Sequence, residues 1–170
     1  MTMEHVFRKA ALTDIDRIME IIGQAKAMMA RLGRRQWDGS YPLEQHISTD
    51  IENGNGYVIC HGGKVVAYGA VVFTGEEAYR NLRGGTWLSE GQYVVLHRLA
   101  VAEEARCQGF AGIFLKETGL MAIGKGIHSF KVDTNHDNSQ MLHILESEGF
   151  SYCGKIHYHN GERMAFEKPL

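Results

Sequence analysis

The spacing of apolar residues changes several times along this chain, and each change marks an element. His5 to Ala10 (HVFRKA) reads as an opening strand. Ile15, Ile18, Met19, Ile22 and Met29 then recur at helical spacing, with Thr13 as N-cap, Asp16 completing a near capping box and Gly33 as the stop. A second helix opens at Pro42 and carries Leu43, Ile47 and Ile51 on one face. Tyr57–Cys60 and Lys64–Phe73 are apolar, β-branched runs joined by HGGK, a hairpin pattern. After the polar SEGQ (Ser89–Gln92), YVVLHRLAV predicts a strand from Tyr93 to Val101. Gly109 to Ile123 returns to helical recurrence through Ile113, Phe114, Leu120 and Met121, and Ser129–Thr134 (SFKVDT) is a further strand. Asn138–Glu148 is helical, with Met141, Leu142 and Leu145 apolar and Gly149 closing it. Phe150–His157 and Arg163–Lys168 flank HNGE, where Asn160-Gly161 signals a two-residue hairpin. The order β-α-α-β-β-β-α-β-α-β-β predicts an α/β (α+β) fold, a mixed sheet of about seven strands with about four helices on its faces.

At 170 residues the chain suits one domain over 1–170, large enough for a full core without disulfides or metal. A net charge of -2 supplies no basic field and argues against nucleic acid as a partner. No apolar stretch approaches ~18 residues and the N-terminus lacks a signal pattern, so no membrane association is expected. Cys60, Cys107 and Cys153 are an odd set at scattered spacings, which suits reduced thiols and a cytoplasmic location.

The chemistry concentrates in HRLAVAEEARCQGFAG, His97 to Gly112, where a strand runs through a charged loop into a helix. A helix N-terminus offers unpaired N–H groups and partial positive charge, a combination that binds phosphate. Small residues at Gly109, Ala111 and Gly112 let backbone approach such a group, and Arg106 adds a charge-assisted contact. The same residues would also serve simple packing of helix on sheet. Two rival phosphate motifs fail. GLMAIGKG (Gly119–Gly126) ends in Gly126 where a P-loop needs Ser or Thr, and the glycines around Gly109 lack the dinucleotide register.

RCQGFA follows LAV as Arg/Gln-x-x-Gly-x-Gly/Ala does in the GNAT superfamily of acetyl-CoA-dependent N-acyltransferases, which this chain resembles over its whole element order. Asn138 and the Gly149-Phe150 pair resemble that family's second cofactor segment. The resemblance implies one GNAT-like domain with a mostly antiparallel sheet, and acetyl transfer from acetyl-CoA to a primary amine of a small molecule or peptide. It implies pantetheine contacts at Leu99, Ala100 and Val101, and a pyrophosphate cradle of Arg106, Cys107, Gln108, Gly109, Phe110, Ala111 and Gly112. Asn138 would bond the pantetheine arm or the thioester region. A non-catalytic acyl-CoA sensor of the same fold is the alternative.

Acetyl transfer needs a neutral amine, hence a base. His97 lies four residues before Val101, so strand alternation places it on the face of Leu99 and Val101, and LHRLAV resembles the LH-x-LAV of arylalkylamine N-acetyltransferases. A histidine satisfied within the sheet is the competing reading. The family's thiolate-protonating tyrosine would stand at Leu145; Tyr152 is the candidate in its place. Cys107 near a helix start also admits an acyl-cysteine, which direct transfer does not require. His136, His143, His157 and His159 show no metal-ligand spacing, so no metal is expected. Trp37, Tyr41, Trp87 and Tyr93 fall in loops as candidate walls of an acceptor pocket. The acceptor's identity and the oligomeric state, a homodimer included, stay open.

Overall fold

The computed structural model describes residues 4–170. Seven strands form one sheet, β1 (His5–Lys9), β2 (Gly56–His61), β3 (Lys64–Val72), β4 (Val94–Val101), β5 (Ser129–Thr134), β6 (Ser151–Tyr158) and β7 (Gly161–Pro169), in the order β1-β2-β3-β4-β5-β7-β6. Four helices accompany it: α1 (Ile15–Arg31), α2 (Glu44–Glu52), α3 (Phe110–Gly124) and α4 (Ser139–Ser147). The sheet is mostly antiparallel; β4 pairs parallel with β5, Val94 and Val95 opposite Phe130 and Lys131. The chain divides into two compact units, residues up to Val71 with His97–Phe114, and Val72–Leu96 with Leu115–Leu170.

In the first unit α1 buries Ile18, Ile21, Ile22, Ala25 and Met29, the apolar stripe that its spacing dictates. Phe7 stacks on Tyr57 at 5.1 Å between ring centroids and meets Phe114 edge-on at 5.2 Å. Gly62 and Gly63 both have positive φ (60° and 77°), the geometry of the tight turn that HGGK predicts. In the second unit Tyr79, Val95, Ile156 and Ala165 form a buried cluster, and Phe130 meets Phe150 edge-on.

Several boundaries differ from the sequence reading. Thr13 does not cap α1: Leu12–Asp14 is a 3-10 turn and Asp14 is the N-cap. The Asp14 carboxylate is taken by the Ala11 N–H at 2.8 Å and by Arg8, which fixes the helix start one residue later than the pattern implies. α2 begins at Glu44, two residues after a cis Tyr41-Pro42 bond, where the His46 Nδ1 accepts the Leu43 N–H. Tyr158 pairs with Gly161, so the final turn is His159–Asn160 and β7 begins two residues before the expected Arg163. A 3-10 turn at Glu77–Asn81 within the β3–β4 connection has no counterpart in the sequence reading.

Strand β4 contains a left-handed residue that is not glycine. Arg98 has φ 57°, a conformation that costs roughly 1–2 kcal/mol for an L-residue. Its guanidinium is gripped on two sides. Nε donates to Asp50 Oδ2 at 2.8 Å and Nη2 to Oδ1 at 2.6 Å, while Nη1 donates to the Tyr41 hydroxyl at 2.9 Å. The Tyr68 hydroxyl donates to the same Asp50 Oδ2. Asp50 is buried on α2, so the fork ties α2 to the strand at its strained residue.

Breaking this fork from one side leaves a buried guanidinium without its carboxylate. Asp50→Ala is expected to cost about 3–5 kcal/mol, read in denaturant unfolding, whereas Asp50→Asn costs less because the amide oxygen still accepts one bond. Equal stability of Asp50→Ala and the parent would contradict this account of β4.

Candidate functional site

Strand β4 passes at Val101 into Ala102, the turn Glu103–Ala105, and then the loop that opens α3. Ala100 is buried, and His97, Leu99 and Val101 are half-buried. The left-handed Arg98 interrupts strict alternation, so the spacing of His97 to Val101 no longer fixes a common face for the two residues.

The loop is a built corner. Cys107 (φ 61°) and Gly109 (φ 85°) are both left-handed, and α3 starts at Phe110, with the Gly109 carbonyl accepting the Ile113 N–H at 3.0 Å. The N–H groups of Phe110, Ala111 and Gly112 therefore stand at the helix N-terminus, where no intrahelical acceptor exists. Nothing lies within 4 Å of where a Cβ on Gly109 would sit, so the backbone there is open to an approaching group. Phe110 is buried against the His61 ring at 5.2 Å and anchors the first turn. Gln108 is exposed and donates to the Glu104 carbonyl at 3.1 Å; Cys107 is exposed. Arg106 is half-buried, and its Nη2 is buried without a hydrogen-bond partner. A buried guanidinium nitrogen with no acceptor is costly unless an anion completes it. These residues fit the pyrophosphate of a coenzyme A: open backbone, free helix-terminal amides and an unsatisfied guanidinium in one loop.

Asn138 lies in the second unit as the N-cap of α4, its Oδ1 accepting the Met141 N–H at 3.2 Å. Its amide nitrogen is a donor for a ligand, and Oδ1 keeps a second lone pair. Leu145 is 1% exposed and packs inside, so α4 places no hydroxyl there. Tyr152 is exposed on β6, its ring 5.8 Å from Phe166.

The four candidate acceptor aromatics separate. Trp37 is buried in the core of the first unit. Tyr41 packs edge-on against His46 beside a cleft of about 420 Å³ lined by Gln45, His46, Thr49, Asp50 and Arg98. Trp87 and Tyr93 lie in the second unit, where the Lys131 ammonium sits 4.4 Å from the Trp87 ring and 4.2 Å from the Tyr93 ring. Burial pushes the Lys131 ammonium pKa down, against the pull of the Glu167 carboxylate. Glu167 is itself fully buried and accepts from the Leu88 N–H and the Ser89 and Ser129 hydroxyls.

Sequence reading passed over Asp133, Tyr79 and Tyr158. The Tyr79 and Tyr158 hydroxyls both donate to Asp133 Oδ2, at 2.6 and 3.1 Å. Burial, then the Asp133 charge, holds the Tyr79 hydroxyl well above its ordinary pKa, so it remains a donor. The signal was present in SFKVDT, where Lys131 and Asp133 put two charges two residues apart in a strand otherwise fit for burial.

The profile of the Acetyltransferase (GNAT) family matches residues 23–150. The chain belongs to the GNAT acetyltransferase family. A GNAT-family acetyltransferase from Streptococcus agalactiae is similar to it at 34% identity, over 98% of this chain and 95% of that one, with a TM-score of 0.90. A GNAT-family acetyltransferase from Listeria monocytogenes shares the fold at 19% identity, 99% and 96% coverage and a TM-score of 0.78. A ribosomal-protein-alanine N-acetyltransferase from Brucella melitensis shares it at 19% identity, 97% and 99% coverage and a TM-score of 0.70. No curated protein gives a significant match. Acetyl-CoA is the usual donor of this GNAT family and an amine the usual acceptor. Among the described residues no helix is long and apolar enough to cross a membrane, and no cluster of His, Cys, Asp or Glu could hold a metal ion.

A negative side chain at the mouth of the cradle separates folding from binding. Ala111→Glu favours the start of α3 through the helix dipole yet opposes phosphate, so calorimetry should show acetyl-CoA affinity falling at least about tenfold with thermal stability retained. Arg106→Ala should weaken acetyl-CoA in the same assay and leave a pantetheine donor lacking the pyrophosphate unaffected. Unchanged acetyl-CoA binding in both variants would misplace the cradle.

Proposed function

We propose that the chain, as one acyltransferase domain over 1–170, moves an acetyl group directly from acetyl-CoA to a primary amine of a small molecule or peptide. The observation that carries this reading is the loop from Arg106 to Gly112, where the unsatisfied Arg106 Nη2, the open backbone at Gly109 and the helix-terminal amides occur together. Bound acetyl-CoA supplies the activated thioester. The amides of Gly109 to Gly112 and the Arg106 guanidinium hold its pyrophosphate, the backbone of Leu99 to Val101 pairs with its pantetheine arm, and the Asn138 amide donates to that arm. Cys107 and Gln108 line the cradle without taking acyl.

An ammonium has no lone pair, so the acceptor nitrogen must first lose a proton, and His97 is the group assigned to take it. Tyr152 is the candidate donor to the departing sulfur. Its exposure on β6 makes solvent an equal source, and a CoA thiolate is a tolerable leaving group near neutral pH. The absence of a hydroxyl at Leu145 favours one second reading, an acyl-CoA sensor that binds without turnover. Thiol release from acetyl-CoA across an amine panel separates the two: release with any amine supports the enzyme, and tight binding with no release supports the sensor. Three free cysteines, Cys60, Cys107 and Cys153, support a cytoplasmic location for this proposed enzyme.

His97→Gln should lower turnover about 10²–10⁴-fold with acetyl-CoA affinity nearly unchanged. The variant should regain part of the lost rate at high pH as free amine accumulates, a recovery that a purely structural histidine would not give. A variant with parental turnover at every pH would remove His97 from the reaction.

A further inference from the structure

The turn that leads into the phosphate loop is held from outside the loop, by residues that all lie in the first unit. Arg17 on α1 spreads its guanidinium over three partners. Nε donates to the Val65 carbonyl at 3.0 Å, Nη1 to Glu20 Oε1 at 2.9 Å and Nη2 to Glu104 Oε1. Seven residues on, about two helical turns along the same face, Gln24 Oε1 accepts the Glu103 N–H at 2.8 Å. Lys64 adds an ammonium 3.1 Å from the same Glu104 oxygen. Exposed ion pairs ordinarily contribute little, but the Arg17 side chain is only 15% exposed and its fork joins a helix, a strand and a turn.

The strand side is fixed as well. The β2–β3 register shifts between Ile59 and Cys60, and beside this irregularity the Val66 carbonyl accepts the Ala102 N–H at 2.7 Å while Val65 accepts Arg17. Downstream, the Glu103 carbonyl accepts the Arg106 N–H at 3.4 Å and the Glu104 carbonyl accepts the Gln108 side chain at 3.1 Å. The two residues that α1 grips by an N–H and a carboxylate therefore hold Arg106 and Gln108 by their carbonyls. Its own backbone N–H, then Lys64 and Arg17, keep the Glu104 carboxyl down at about 2, so this grip does not titrate near neutral pH.

We propose that Arg17 and Gln24 are positioning residues for the cofactor, holding the Glu103–Ala105 turn so that Arg106 is aimed at the pyrophosphate before it arrives. They touch no reacting atom and act through Arg106. This deepens the acetyltransferase reading and rests on its phosphate cradle. Loss of either residue frees the turn, and ordering Arg106 then costs affinity each time the cofactor binds.

A double-mutant cycle read by calorimetry with acetyl-CoA tests this. Arg17→Gln should weaken acetyl-CoA about tenfold, the effect of a hydrogen bond to a charged group, and Gln24→Ala about threefold. In the Arg106→Ala background both substitutions should lose most of their effect, since the group they aim is gone. A purely structural role would lower the melting temperature and leave the folded variants at parental affinity. Parental affinity in folded Arg17→Gln, or losses that add in full to that of Arg106→Ala, overturns the proposal. Gln24→Ala removes one side-chain contact to the Glu103 N–H and carries the same comparison if Arg17→Gln does not fold. The two readings fail separately. Weaker acetyl-CoA in Arg106→Ala, with no loss in Arg17→Gln or Gln24→Ala, removes the positioning role and keeps the cradle. Parental affinity in Arg106→Ala removes the cradle, and the positioning role with it.

Discussion

A left-handed arginine in the middle of a strand is the constraint on which the geometry of β4 depends. Arg98 sits between His97 and Leu99, and the backbone bend it imposes decides where those two neighbours point. Such a bend relaxes unless something outside the strand holds it. The holder is Asp50 on α2, with Tyr41 and Tyr68 completing the network. A bidentate carboxylate–guanidinium pair with this burial is directional, which a hydrophobic contact is not. The helix that borders the 420 Å³ cleft is therefore also the helix that fixes the strand.

The loop after β4 works by what it lacks. A glycine at 109 leaves open space where a side chain would stand, and the first amides of α3 have no acceptor in their own helix. Arg106 supplies charge with one nitrogen unsatisfied. Preorganised donors of this kind do not need to be ordered when an anion arrives, so little of the binding energy is lost to ordering. The absence of a hydroxyl at Leu145 bears on the proposed proton donor alone and not on the proposed phosphate cradle.

The element order and helix count were legible because the apolar pattern changes sharply between elements, from the continuous apolar run of β3 to the 3–4 spacing of α1. The loop was legible for a different reason: small residues directly before a helix have few purposes. What could not be read were the features set by distant partners. Nothing local in VVLHRLAV marks Arg98 as left-handed, since the conformation is held by a carboxylate 48 residues away in sequence. Thr13 looked like a cap because the motif is local, while Arg8 and Ala11 recruited Asp14 instead. Tyr79 and Asp133 meet across 54 residues, so their pairing had no signature beyond a charged residue in an apolar strand.

The central claim is that the β4–α3 corner is where acetyl-CoA is held, and amide hydrogen exchange across the chain tests it most directly. Adding acetyl-CoA should slow exchange at Phe110, Ala111 and Gly112, with a second protected stretch at Leu99 to Val101 and the α2 amides little changed. Unaltered exchange through this corner, with protection appearing elsewhere in the chain, would contradict the account.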